Sequence, residues 1–235
     1  MPGEVVIDCF PESAAKYRDG YAVVAVDVIR ATTTAVTGVV AGRRCYPAAT
    51  LEAVVPLAAR LERPLLVGEL GGNMPYGFDL TNSPAALAGR NDLSRPMILL
   101  SSSGTRLLFE ADGANAVYAA CLRNYRAQVS ELAGRHENVA VIGAGSRGEF
   151  REEDQLCCAW IADGLLAAGY RAADTSTQAL VERWRGVPVE AAAAGASAAY
   201  LRDTGQLQDL DFILEHVDDV DAAFVLDRGE LVRAR

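Results

Sequence analysis

The sequence predicts an α/β fold: three layers, α/β/α, around a largely parallel or mixed sheet, with a helical C-terminal region and a closing β-hairpin. Three observations carry that prediction. Short apolar, β-branched runs alternate with segments of helical spacing as far as residue 170. The strongest run, 21–29, passes straight into a threonine-rich helix start, as a buried parallel strand does before its crossover helix. The chain closes on two short apolar runs, 222–226 and 231–232, with Gly229 near the turn between them. No linker or low-complexity stretch interrupts the 235 residues, so a single domain over 1–235 is expected.

Taken in order, a first strand is expected over 4–9, with Asp8 near its end. Residues 11–20 are polar and turn-like, and Asp19-Gly20 marks the turn. After the strand over 21–29, a helix from Thr32 stops at Gly42, which suits a left-handed cap. A short strand over 44–47 leads to a helix over 50–61, with Thr50 as N-cap and Glu52 in the first turn. A buried strand over 64–68 ends at Glu69. The loop that follows, 69–84, is rich in Gly, Pro and Asn, and loops of that length in compact domains are often functional. Ser83-Pro84 reads as the N-cap and first residue of a short helix.

The next strand, 96–100, runs into Ser101-Ser102-Ser103-Gly104-Thr105-Arg106 and a helix over 105–110. A strand over 114–119 and a helix over 121–134 follow, the helix spaced by Leu122, Tyr125, Val129 and Leu132. A strand over 138–143 enters Ala144-Gly145-Ser146-Arg147-Gly148. Glu152, Glu153 and Asp154 then open a long apolar helix to residue 168, where carboxylates suit the helix start. From Thr175 the chain is alanine-rich and reads as helical to residue 216.

Composition excludes several classes of function. The formal net charge is −9 and no basic run occurs, so no nucleic-acid partner is expected. An acidic chain still admits a phosphorylated substrate where arginines or a metal offset the repulsion. Lys16 is the only lysine, which removes the P-loop motif. The five cysteines are dispersed and form no C-x-x-C, and no signal peptide is evident, so reduced thiols and a cytoplasmic location are expected. No apolar run reaches the ~20 residues of a membrane span. A homo-oligomer, with a dimer as the commonest form, is the general prior.

The stretch from Val23 to Thr34 holds the chemistry most densely. Asp27 falls at the carboxyl end of a strand, where open α/β sheets place their sites. Arg30 follows, and Thr32, Thr33 and Thr34 open a helix whose free N–H groups favour anions. One segment therefore offers a carboxylate for a cation and a guanidinium for an anion. The hydroxyl loop before Arg106 repeats this construction.

Asp27-Val28-Ile29-Arg30-Ala31-Thr32-Thr33-Thr34 resembles the D-V-L-R-A-T-T-T signature of the 2-phosphosulfolactate phosphatase family. Gly77-Phe78-Asp79-Leu80-Thr81-Asn82-Ser83-Pro84 resembles the family's G-F-D-L-x-N-S-P segment, and Ser101 to Arg106 its T-T-N-G-T-R segment. Gly143-Ala144-Gly145 through Phe150 to Glu153-Asp154 resembles A-G-x-x-G-x-F-x-x-E-D. The resemblance spans residues 27 to about 160; the last third carries little of it. Two departures stand out: Leu70 where the family usually has Arg, and Ser103 where it has Asn.

The resemblance implies a Mg²⁺-dependent phosphatase that converts 2-phosphosulfolactate, or a related small phosphorylated hydroxy acid, to sulfolactate and phosphate, as in coenzyme M biosynthesis. Asp27 and Arg30 are the expected catalytic residues. Asp27, Glu69, Asp79 and Asp154 are the expected metal ligands, of which one or two suffice for Mg²⁺. Thr32, Thr33, Ser103, Gly104, Thr105, Arg106 and Arg147 are the expected substrate-binding residues; the competing role for each hydroxyl is a helix cap. Asp27 is followed by Val28-Ile29 and so opens no D-x-D, and the chain lacks C-x₅-R, which favours attack by a metal-activated water over a phospho-Asp27 intermediate. Two other readings stand beside this one. A non-catalytic or redirected member would bind a small anionic metabolite. Gly143 to Gly148 also fits G-x-G-x-x-G, the dinucleotide fingerprint, although its helix starts late and Asp163 falls inside that helix.

Overall fold

The computed structural model describes residues 3–235. Its strands are β1 (Glu4–Cys9), β2 (Tyr21–Val26), β3 (Cys45–Ala48), β4 (Leu65–Gly68), β5 (Met97–Leu100), β6 (Ala116–Ala120), β7 (Asn138–Gly143), β8 (Arg171–Ala172), β9 (Phe224–Asp227) and β10 (Glu230–Arg233). The helices are α1 (Ala31–Val40), α2 (Leu51–Arg60), α3 (Pro84–Ala88), α4 (Gly104–Glu110), α5 (Tyr125–Leu132), α6 (Glu152–Ala167), α7 (Thr175–Trp184), α8 (Ala196–Asp203) and α9 (Leu207–Glu215). Among the described residues, no helix is long and apolar enough to cross a membrane.

The strands form one mixed sheet in the order β4-β5-β3-β10-β9-β6-β2-β7-β1-β8. Strands β4, β5 and β3 pair in parallel, as do β6, β2, β7, β1 and β8. The β9–β10 hairpin joins these two parallel runs with antiparallel pairing on both sides, β10 to β3 and β9 to β6. The expected hairpin therefore exists, but it occupies the middle of the sheet. Its turn is the two-residue Arg228-Gly229, with φ of 50° and 83°. Positive φ at both central residues matches the right-handed twist of the flanking strands, and glycine adopts it without strain.

Both faces of the sheet are covered, which makes three layers. Along β2 the side chains alternate: Val23 and Ala25 enter one core, Ala22, Val24 and Val26 the other. Val36 of α1 and Leu107 and Leu108 of α4 fill the first. Leu156, Ile161 and Leu165 of α6, with Val181 of α7 and Ile213 of α9, fill the second.

Local chemistry explains most element ends. Thr50 accepts from Ala53 N–H at 3.3 Å and Ser83 from Ala86 N–H at 3.1 Å, the expected caps. Strand β2 stops at Val26, earlier than its apolar run, because Thr32 Oγ1 accepts from the Asp27 N–H at 2.9 Å and the chain turns there. Helix α5 starts later than its spacing suggests, since Asn124 Oδ1 accepts from Cys121 N–H at 2.9 Å and holds a turn in front of it.

Because the hairpin joins the two parallel runs, its side chains belong to the central core. Leu231 is 1% exposed. Leu231→Ala should destabilise the protein by about 2–5 kcal/mol, as a core truncation does. Urea unfolding measures this, and a loss below about 1 kcal/mol would instead mark the hairpin as a peripheral attachment.

Candidate active site

The carboxyl ends of β2, β4, β5 and β7 converge on one cleft of about 290 Å³. Asp27 and Arg30 follow β2, Glu69 follows β4, Ser102 and Ser103 follow β5, and Gly145, Ser146 and Arg147 follow β7. The start of α6 contributes Arg151, Glu153 and Asp154, and α8 closes the far wall with Ser197 and Tyr200. Ligand sites at the carboxyl ends of strands are the rule for open α/β sheets.

Three carboxylates are buried there: Asp27, Glu153 and Asp154. Asp27 Oδ1 accepts from Ala31 N–H at 3.1 Å. Asp154 accepts from Val28 N–H at 2.8 Å and from Gly145 N–H at 3.3 Å, so it ties together the chain just beyond the two neighbouring strands β2 and β7. Glu153 Oε2 has no partner. Burial pushes Asp27 up to about 7, with the charges of Glu69 and Glu153 adding to it; the Ala31 N–H and Arg30 pull the other way. Burial likewise raises Glu153, and burial with the charges of Asp27 and Glu153 raises Asp154. An orphaned carboxylate oxygen beside two raised carboxyls leaves unmet negative charge, which a bound cation would satisfy. Asp27 and Glu153 are the residues able to hold one. Among the described residues, no group of three or more His, Cys, Asp or Glu side chains is set to cage a metal alone.

Anion-binding groups share the cleft. Arg30, Arg147 and Arg151 line it. Arg151 pairs through Nη1 with Glu149 at 2.5 Å, while its buried Nε has no partner. Gly104 makes a further fit possible. A Cβ there would lie 2.6 Å from Ala31 Cβ and 2.8 Å from Asp27 Cβ, so only glycine lets α4 approach the carboxylate this closely.

Six of the residues expected from the sequence thus face one cleft: Asp27, Arg30, Glu69, Ser103, Arg147 and Asp154. Glu69 also clamps two loops, accepting from Gly72 N–H, Ser102 N–H and Ser102 Oγ at 2.7–3.0 Å. Asp79, Thr32, Thr33, Thr105 and Arg106 are placed differently. Asp79 lies away from the cleft, where its Oδ2 accepts from Leu66 N–H at 2.9 Å and pairs with Arg95 at 3.0 Å. Thr32, Thr33 and Thr105 turn their hydroxyls to the carbonyls of Asp27, Val28 and Ser101 at 2.8–3.0 Å, so they stabilise turns. Arg106 pairs with Glu12 and Glu110 beside an adjoining groove.

The fingerprint reading of 143–148 is corrected too. Ser146 and Glu149 exchange both backbone hydrogen bonds at 3.0 Å, which closes a tight turn, and α6 begins only at Glu152. A dinucleotide loop needs its helix to start among the glycines. Glu153, Arg151, Ser197 and Tyr200 were not foreseen. Glu153 stood in plain view beside Asp154 but reads equally as a helix-start charge. Ser197 and Tyr200 sit among alanines with no motif around them.

The family model described as 2-phosphosulpholactate phosphatase matches residues 9–227. Relatives bearing the name probable 2-phosphosulfolactate phosphatase include one from Deinococcus radiodurans, 32% identical over 211 residues, covering 88% of this chain and 86% of the relative. One from Parasynechococcus marenigrum is 30% identical, covering 99% of this chain and 92% of the relative. A third, from Synechococcus sp. strain WH7803, is 32% identical over 178 residues, covering 74% of this chain and 72% of the relative.

The raised Asp27 carboxyl has a signed consequence. A carboxyl whose folded value exceeds its unfolded value of about 4 loses folding stability as pH rises between the two. Asp27→Asn removes that loss while keeping a neutral side chain of the same shape. In chelator, the variant and the parent should melt together below about pH 4, and the variant should melt several degrees higher at pH 8. Equal midpoints at pH 8 would show that the ionised Asp27 carries no penalty.

Proposed function

The chain belongs to the 2-phosphosulpholactate phosphatase family, and on that premise we propose that it hydrolyses 2-phosphosulfolactate, or a closely related small phosphorylated hydroxy acid, to the free hydroxy acid and phosphate with Mg²⁺ as cofactor. The observation that carries this reading is the presence, in one cleft, of buried carboxylates short of positive charge beside guanidinium groups with open donors. Such a site takes a cation and an anion together, as a phosphate ester with its divalent ion requires.

Asp27 and Glu153 would hold the Mg²⁺, in keeping with an ion that uses one or two carboxylates and retains its waters. Bound there, the ion offsets phosphoryl charge and lowers the pKa of water. The protein's own residues bind and orient. Arg151 presents an unpartnered Nε, and Arg147 stands beside it, so phosphoryl, sulfonate and carboxylate oxygens meet donors in a confined space. Asp154 holds the Asp27 turn in place through the Val28 and Gly145 N–H groups. Leu70 is 40% exposed and does not line the cleft, while Arg151 supplies a guanidinium to the wall from another element. Cytoplasmic coenzyme M synthesis would be a fitting setting, and five free cysteines suit a reducing compartment.

Phosphate release from 2-phosphosulfolactate should occur with Mg²⁺ and stop with chelator. Asp27→Asn should cut the rate by roughly a hundredfold to a thousandfold, without lowering the melting temperature. Near-normal turnover in that variant would remove Asp27 from the mechanism. If no phosphoester is hydrolysed but anions raise the melting temperature, the chain is a binding member of the family and the catalytic reading fails.

A further inference from the structure

Arg30 enters the cleft just after β2, yet its partners lie far along the chain. Its Nη1 donates to Asp209 Oδ2 at 2.5 Å and to Gln206 Oε1 at 2.6 Å. The Arg30–Asp209 pair is buried at both ends, with side chains 5% and 1% exposed. The other oxygen of Asp209 accepts from Ser83 Oγ at 2.5 Å and from Ala85 N–H at 3.2 Å. One carboxylate on α9 therefore fixes both the guanidinium and the start of α3. Asn82, next to that start, lines the cleft with an unpartnered Oδ1.

We propose that Asp209 and Gln206 are positioning residues, which grip one end of Arg30 and present its other edge to the substrate's anion. With Nη1 held, the remaining donors are Nε–H and Nη2–H on the opposite side of the planar group. These two point in parallel and match two oxygens of a phosphoryl, sulfonate or carboxylate group. The grip also prevents a competing contact. A loose guanidinium beside Asp27 would pair with that carboxylate and occupy the charge a cation needs. A buried Asp with three donors around it is rigid, so the choice is made once, on folding.

This inference rests on the phosphatase reading for the identity of the substrate, but its test does not. Arg30→Met, Asp209→Asn and the double variant are compared in two assays: calorimetric binding of inorganic phosphate with Mg²⁺, and phosphate release from 2-phosphosulfolactate. Asp209→Asn should weaken phosphate binding and raise KM by roughly tenfold or more, as loss of an orienting partner does. The double variant should be no worse than Arg30→Met alone, because Asp209 acts through Arg30. Losses that multiply, or an unchanged phosphate affinity in Asp209→Asn, would overturn the proposal. Should Asp209→Asn fail to fold, Gln206→Ala replaces it, since Gln206 is only half-buried. That variant should keep its melting temperature and still bind phosphate more weakly; unaltered binding would count against the grip. If the parent protein hydrolyses no ester, the phosphatase reading falls while the binding comparison still decides this one.

Discussion

Negative charge buried without enough positive charge is the constraint that shapes this molecule. Asp27, Glu153 and Asp154 stand together out of water, and their carboxyls are raised in consequence. Such an arrangement survives only where the surrounding structure imposes it. Here Asp154 supplies much of that imposition. It takes one N–H from the chain leaving β2 and one from the chain leaving β7, two strands paired in register from Tyr21↔Asn138 to Val26↔Gly143. Bonds of a carboxyl oxygen to backbone N–H groups are worth about 0.5–1.5 kcal/mol each. The carboxylate therefore prevents the two strand ends from separating and at the same time sets the walls of the cleft.

The same logic explains why an acidic chain can accommodate an anion. The formal charge of −9 is spread over the surface, and its repulsion is screened beyond about a Debye length of 8–10 Å. Inside the cleft the balance is local. Arg147 and Arg151 stand there with Arg30, and one donor of Arg151 has no partner at all. Arg30 would otherwise be drawn to Asp27, and Asp209 removes that alternative from outside the cleft. The carboxylates are thus left for a cation and the guanidinium edges for an anion, within one small volume.

Legibility in the sequence followed the reach of each interaction. The alternation of strand and helix is local, and the structure contains the expected strands over 4–9, 96–100 and 138–143 within a residue or so of their ends. The hairpin is local as well, but its place between β3 and β6 depends on pairings more than a hundred residues away. In the site, Asp27, Glu69 and Asp154 were legible because strand ends and a helix start aim them at one point. Thr32, Thr33 and Thr105 were not separable from caps, since a hydroxyl at a turn serves the backbone first. Asp79 shares a motif with Asn82, yet a neighbouring guanidinium, Arg95, takes it elsewhere. Asp209 and Asp211 both stand in α9, and nothing in the local sequence marks which of the two is buried against Arg30.

The sheet itself must bend for the site to exist. Strands β2 and β5 are five steps apart in the strand order. At about 4.8 Å per step they would stand about 24 Å apart on a flat sheet. Yet Gly104, just after β5, packs directly against Asp27, just after β2. The intervening strands β3, β10, β9 and β6 therefore do not lie flat between them. The β9–β10 ribbon sits in the middle of that span and is joined on either side by narrow pairings, one residue pair to β3 and two to β6, which leaves room for neighbouring strands to twist. The last segment of the chain thus does more than complete the hydrogen bonding of two strand edges. It lies within the span across which Glu69, Ser102 and Ser103 from one run meet Asp27 and Arg147 from the other.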